Sequence, residues 1–191
     1  MEKQQNSVPV QKVGSGGFMN QEEVIDKLEI HEGMVIADLG CGAGYFTIPM
    51  ARRLKNSGKV YAVDVLSSAI ESIQSQSKLF GILNVETIRA NVEVVGGTKI
   101  PDGSVNLVVL ANIIFQCSDC DSVFQEAKRI LAPNGRVVII DWIPKNVPLG
   151  PKFENCVSEE EVKKMAIRNG FKVVKSIPAG TTHYGFLFES V

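Results

Sequence analysis

Short apolar runs alternate with amphipathic segments along most of this chain. The runs MVIADL (34–39), GKVYAVDV (58–65), NVETIRA (84–90), PDGSVNLVVLAN (101–112) and APNGRVVIIDW (132–142) are rich in Val, Ile and Leu. Such near-continuous runs suit strands covered on both faces, and the glycines and prolines at their starts suit turns. Between them lie segments with helical spacing. Residues 19–30 offer Asn20 as an N-cap, Glu23 three residues later, and Val24, Ile25 and Leu28 on one face. YFTIPMARRLK (45–55) ends in basic residues that suit a helix C-terminus, SSAIESIQSQSKLF (67–80) is closed by Gly81, and DSVFQEAKRIL (121–131) completes the set. This alternation predicts an α/β protein, a doubly wound, Rossmann-like parallel sheet with helices on both faces.

The end of the chain breaks the alternation. Ser158 and Glu161 form a capping-box pattern before EEEVKKMAIRNG (159–170). FKVVKSIP (171–178) and THYGFLFES (182–190) then read as two strands with only AGT between them. So short a connection makes a hairpin, which sends the last strand antiparallel to the others.

One domain over residues 20–191 is expected, preceded by a flexible N-terminal segment, 1–19, in which Val13, Phe18 and Met19 could fold over a pocket as a lid. With 191 residues and 45% hydrophobic content, such a domain buries roughly 70% of its unfolded surface. Lys and Arg total 20 against 21 Asp and Glu, and no basic stripe points to nucleic acid. No stretch reaches the ~18 apolar residues of a membrane span and the first residues lack a signal-peptide pattern, so a cytoplasmic location is expected. The four cysteines are then expected as reduced thiols on solvent-side loops. Cys117 and Cys120 form one C-x-x-C, but no second tight pair accompanies it, so no metal site is expected.

The chemistry concentrates in VIADLGCGAGYF (35–46). In an open α/β sheet, ligands bind beyond the carboxyl ends of the strands, where Gly40, Gly42 and Gly44 let backbone approach a ligand closely. The dinucleotide fingerprint is G-x-G-x-x-G; here the third glycine comes one residue early and Tyr45 takes its place, a departure from a nicotinamide site. Asp64 closes the second strand about 20 residues on, the place of a carboxylate that accepts from ribose hydroxyls. The pair favours an adenosine ligand.

DLGCGAGYF, the second-strand acid of VYAVDV, LAPNGRVVIID and the terminal hairpin together resemble the class I S-adenosylmethionine-dependent methyltransferases, of the small single-domain type similar to quinone-biosynthesis methyltransferases. The resemblance spans nearly all of residues 20–191 and implies a seven-stranded sheet and S-adenosyl-L-methionine as cofactor. By it, Gly40, Gly42 and Gly44 would cradle the methionine part and Asp38 would order its amino group. Asp64, with Val65 beside it, would hold the ribose, and the Asn91 amide oxygen and Val92 backbone would meet the adenine. Asn112, with Ala111 and Ile113, would flank the sulfonium and methionine tail. Asn91 departs from the family, whose members often carry an acid there. NIIF lacks both prolines of the amine-methylating N-P-P-[FY] motif, so amine methylation of bases or glutamine is not inferred.

The implied reaction is an in-line displacement on a sulfonium methyl. Asp141 ends the fifth strand at the cofactor edge and the antiparallel last strand begins there, which makes His183 and Asp141 the catalytic candidates, His183 first. His31 falls at the opposite edge as a surface residue. Trp142, Phe153 and Tyr184 are the substrate candidates, the first two lying in a long proline-rich connection of the kind that forms lids and binding loops. With no inserted domain, the expected partner is a small, partly apolar molecule. Alternatives are a protein methyltransferase, which needs a surface groove, and an inactive cofactor-binding subunit with Ile113, Phe115 and Cys117 at its interface. A metalloid acceptor on Cys117 and Cys120 is a minor variant. The atom methylated and the oligomeric state are left open.

Overall fold

The apolar runs become a seven-stranded sheet in a computed structural model that describes residues 19–146, 148 and 150–191. In chain order the elements are α1 (Gln21–Lys27), β1 (Val35–Leu39), α2 (Thr47–Arg53), β2 (Lys59–Asp64), α3 (Ser67–Phe80), β3 (Val85–Arg89) and β4 (Val105–Ala111). After these come α4 (Cys120–Ile130), β5 (Leu131–Trp142), α5 (Glu159–Arg168), β6 (Phe171–Ser176) and β7 (His183–Ser190). The spatial order is β3-β2-β1-β4-β5-β7-β6; β7 pairs antiparallel with both β5 and β6, and the other pairings are parallel.

Alternate residues of each central strand feed opposite faces. Leu107, Val109, Val138 and Ile140 pack with Val24, Leu28, Met50 and Leu54 under α1 and α2. Val108, Leu110, Val137 and Ile139 pack with Phe124, Ile130, Val162 and Phe188 under α4 and α5. Each such fully buried side chain contributes roughly 1.5–3 kcal/mol by leaving water, which makes a one-residue register slip prohibitive. The predicted stops and starts also form. Asn20 accepts from the Glu23 amide, Ser158 and Glu161 close a capping box, and Gly81 ends α3 in the left-handed region.

Two expectations are corrected. The predicted turn APNG lies inside β5, where Asn134 takes a positive φ of 63° and the β4–β5 register shifts between Val105 and Leu107. Cys117 and Cys120 are not free thiols on solvent-side loops: they form a disulfide and pack against the α4-face core. C-x-x-C spacing at the start of α4 brings their Cα atoms to 5.4 Å, inside the range a disulfide spans. Cys41 and Cys156 are free. Among the described residues no helix is long and apolar enough to cross a membrane, and no cluster of His, Cys, Asp and Glu could hold a metal ion.

The topology fixes where a ligand can sit. Because β1 lies between β2 and β4, the connections leaving β1 and β4 diverge and open a crevice at the carboxyl edge.

Candidate cofactor pocket and acceptor edge

β1 leaves the sheet through its glycine loop, and the loop is tied to the neighbouring strand. The Gly40 and Cys41 amides both donate to the Val63 carbonyl, at 2.8 and 3.0 Å. Gly40 has φ +77°, and a Cβ there would sit 2.5 Å from Ile113 Cδ1, so only glycine permits both the turn and the contact. Ile113 comes from the connection after β4, which therefore rests directly on the glycine loop.

Two carboxylates flank the loop. Asp64, at the end of β2, accepts from the Gly42 amide on one oxygen and from the Leu66 amide on the other, each at 2.9 Å. Each oxygen keeps a lone pair for another donor. Asp38 is buried beneath the loop and accepts from Thr47 Oγ1 at 2.5 Å. Burial pushes its pKa up to about 6; the Thr47 bond opposes this and the charge of Asp64 adds to it.

These groups border a cavity of about 490 Å³ lined by Asp38, Gly40, Gly42, Asp64, Val65, Asn91, Val92 and Asn112, all of them positions expected at the cofactor, with Gln116 and Cys117 closing one wall. Gly44 departs: it lines a larger hollow of about 740 Å³ on the flank of α2 and α3, with Tyr45, Pro49 and Arg52. Two cations of that hollow are committed to surface ion pairs, Arg53 with Glu22 and Asp26, and Lys55 with Glu32. The smaller cavity is the one with oriented carboxylates and a topological reason to hold a ligand.

Polar groups at its walls are only partly used. Asn91 Oδ1 accepts from the Glu93 amide at 2.9 Å, an Asx turn that leaves its amide NH2 free of that bond. Asn112 takes φ +56°, and its buried Oδ1 has no hydrogen-bond partner. A buried acceptor without a partner loses about 1–3 kcal/mol unless a ligand supplies a donor. The cavity size, the two carboxylates and this orphaned oxygen fit the polar ends and adenosine body of S-adenosylmethionine.

The candidate acceptor edge is the one formed by β5 and β7. Their register sets Asp141 against Tyr184 and Trp142 against His183, so the two pairs face opposite sides of the sheet. Asp141 is fully buried and accepts from the amides of Ile114 (2.8 Å), Phe115 (3.3 Å) and Trp142 (2.7 Å). Burial raises its pKa to about 6 against the pull of those bonds. His183 stacks on Trp142 with ring centroids 4.0 Å apart, and its Nδ1 lies 2.9 Å from Thr182 Oγ1. Burial lowers its pKa to about 4, and its Nε2 is buried without a partner. The Tyr184 hydroxyl is likewise orphaned, and burial, with Asp141 nearby, pushes its pKa up.

None of Asp141, Trp142, Phe153, His183 and Tyr184 lines either cavity, and Phe153 stands more than half exposed in a short 3₁₀ turn. Of the predicted lid, Val13 and Phe18 lie outside the described residues; the Met19 carbonyl accepts from the Tyr45 hydroxyl at 3.1 Å, at the rim of both cavities.

Residues beyond the sequence reading also serve the site. Thr47 orients Asp38 from the first turn of α2, and Glu93 accepts from the Ser118 and Asp119 amides, at 3.0 and 2.8 Å, holding the wall that carries Cys117. The signal for Thr47 is its place as the first helical residue after the glycine loop. For Glu93 no local signal exists, because its partners lie 25 and 26 residues away.

A parallel sheet with a reversed last strand, a glycine loop at the switch point and a carboxylate at the end of β2 define the class I methyltransferase architecture. A family model described as "Methyltransferase domain" matches residues 30–182. The chain belongs to this family, the S-adenosylmethionine-dependent methyltransferases of class I. It is 29% identical over 135 residues to the ubiquinone/menaquinone biosynthesis C-methyltransferase UbiE of Hahella chejuensis, a match covering 70% of this chain and 53% of that protein. It is 27% identical over 160 residues to an arsenite methyltransferase of Halobacterium salinarum, covering 76% of this chain and 39% of that one. The chain thus spans about half or less of the length of these curated relatives. A solved S-adenosylmethionine-dependent methyltransferase from Aquifex aeolicus superposes with a TM-score of 0.84 at 26% identity, covering 91% of each chain.

Proposed function

We propose that this protein transfers a methyl group from S-adenosyl-L-methionine to a small-molecule acceptor. The observation that carries the reading is the placement of Asp38 and Asp64 on either side of one glycine loop, at one cavity, with both carboxylates fixed by hydrogen bonds. The cofactor, when bound, supplies a methyl made electrophilic by its positively charged sulfur.

The chain's own residues do the rest. Gly40 and Gly42 give the methionine portion a close backbone approach, and Asp38 accepts from its ammonium. Asp64, already oriented by the Gly42 and Leu66 amides, accepts from the ribose hydroxyls, with Val65 against the sugar. Asn91 and the Val92 backbone meet the adenine edge, and Asn112 Oδ1 takes a donor from the methionine tail. Holding the acceptor in line is worth of order 7–11 kcal/mol in the best intramolecular cases, so positioning alone can supply much of the rate.

On the acceptor side, His183 is the base where the nucleophile must lose a proton. Its depressed pKa keeps it neutral at pH 7, and with Nδ1–H donating to Thr182 the Nε2 lone pair is free. Asp141 is a positioning residue, because three backbone amides already occupy its carboxylate. Trp142, stacked on His183, forms the apolar side of the acceptor site, whereas Tyr184 faces the other side of the sheet and Phe153 stands exposed in its 3₁₀ turn. The relatives named as a ubiquinone/menaquinone biosynthesis C-methyltransferase and an arsenite methyltransferase support a small acceptor. Calorimetry with S-adenosylmethionine tests the premise. A screen for S-adenosylhomocysteine release over aromatic ring precursors, arsenite and peptides then tests the acceptor class, and release with peptides alone contradicts it.

A further inference from the structure

The C-x-x-C pair sits where a change in its bonding reaches the cofactor. Cys117 ends the 3₁₀ turn Ile114–Gln116 and lines the cofactor cavity, and Cys120 is the first residue of α4. Both sulfurs converge on one carbonyl: Cys117 Sγ lies 3.2 Å and Cys120 Sγ 3.5 Å from the Ile114 oxygen. In the disulfide no proton stands between sulfur and oxygen, whereas either thiol can donate to that carbonyl. Reduction therefore changes the bonding of this turn.

The wall around the pair is a contiguous mechanical unit. Asp141 grips the Ile114 and Phe115 amides, Glu93 grips those of Ser118 and Asp119, and Ile113 rests on Gly40. The segment is thus fixed at its start by Asp141 and at Ser118 and Asp119 by Glu93, and the disulfide closes the loop around those two residues. Both cysteines are half-buried beside exposed Ser118 and Asp119, so a reductant can reach them. Reduction moves two hydrogens from a dithiol reductant to the Cys117 and Cys120 sulfurs, and the reductant leaves as its own disulfide.

We propose that Cys117 and Cys120 are a thiol–disulfide modification site, reduced by a dithiol, whose state sets the cavity wall and so the affinity for S-adenosylmethionine. The inference rests on the cofactor reading of that cavity. The disulfide holds Gln116 and Cys117 against the ligand space; opening it releases the turn and, through Ile113, loosens the glycine loop. The oxidised form binds the cofactor more tightly.

The test uses the full chain. It is prepared oxidised with glutathione disulfide or reduced with dithiothreitol, with alkylation and peptide mass mapping to show that Cys117 and Cys120 change state. Calorimetry then gives the Kd for S-adenosylmethionine in each form. The oxidised form should bind at least about fivefold more tightly, the lower end of ordinary site-to-site coupling. The doubly substituted variant, Cys117→Ser with Cys120→Ser, should match the reduced protein and ignore the reductant, while Cys156→Ser should keep the redox response. Equal affinities in the two forms overturn the proposal, as does a Cys117–Cys120 link that never forms under oxidant. If the double variant does not fold, the comparison of the two wild-type forms decides alone. Absence of binding in both forms overturns the cofactor reading itself and this inference with it.

Discussion

If Asp38 receives the cofactor ammonium as proposed, binding acquires a pH dependence whose size follows from the environment of that carboxylate. The carboxylate is buried, and its pKa stands at about 6. It holds an ammonium only when ionised, and an α-amino group with an ordinary pKa of about 7.7–8.0 stays charged through the acid range. The ionised fraction of Asp38 is about nine-tenths at pH 7 and about one-tenth at pH 5, so the Kd for S-adenosylmethionine should rise about tenfold between them, or about 1.4 kcal/mol. Thr47→Val removes the donor that lowers the Asp38 pKa, so the midpoint should move to higher pH; Thr47→Ser should restore it. Asp38→Asn should bind more weakly by roughly 1.5–3 kcal/mol, the worth of a hydrogen bond to a charged group, and should lose the pH dependence. That variant also separates Asp38 from Asp141, which titrates in the same range. Calorimetry at a series of pH values reads all four proteins. A flat wild-type profile from pH 5 to 7, or an unshifted midpoint in Thr47→Val, refutes the reasoning.

Other perturbations test neighbouring parts of the account. Gly40→Ala places a Cβ against Ile113 at φ +77° and should weaken cofactor binding and destabilise the fold by about 1–3 kcal/mol, measured by calorimetry and urea unfolding. Glu126→Gln removes the buried acceptor of Arg129, Thr98 and Gly96, and should cost about 3 kcal/mol. Although burial acts to raise the Glu126 pKa, Arg129, Thr98 and Gly96 together hold it at about 2. Its stabilisation should therefore persist at neutral pH and be lost as pH falls from about 4.5 through about 2, a loss the variant should not show in acid titration. His183→Gln should reduce turnover by 10²–10⁴ for an oxygen or protonated-nitrogen acceptor with the cofactor Kd unchanged; equal turnover removes His183 as the base.

The fold was readable because its signals are local and agree. Val, Ile and Leu runs at strand length, capping residues at 20 and 158, and the three-residue gap before β7 each constrain a neighbouring stretch, and together they allow one topology. That Asp38, Gly40, Gly42, Asp64, Asn91 and Asn112 meet at one cavity was readable because they belong to one loop and three strand ends. What escaped the sequence depends on distant pairing. Glu93 acts on amides 25 and 26 residues away that only the fold brings near, and C-x-x-C spacing alone serves a thiol pair, a metal or a disulfide equally. Gly44 shows the reverse limit: it belongs to the motif, yet the turn directs it toward the α2–α3 flank rather than into the cavity. The β5–β7 edge was legible only as a place, because the strand register that separates the Asp141–Tyr184 pair from the Trp142–His183 pair is a property of pairing.

Methyl-labelled S-adenosylmethionine, incubated with the full chain and a pooled mixture of small metabolites and peptides and then separated by size, reads cofactor and acceptor together. The proposed function predicts label in the low-molecular-mass fraction with equimolar release of S-adenosylhomocysteine, both abolished in Asp64→Ala. Label confined to peptides, or undiminished transfer by Asp64→Ala, would contradict it.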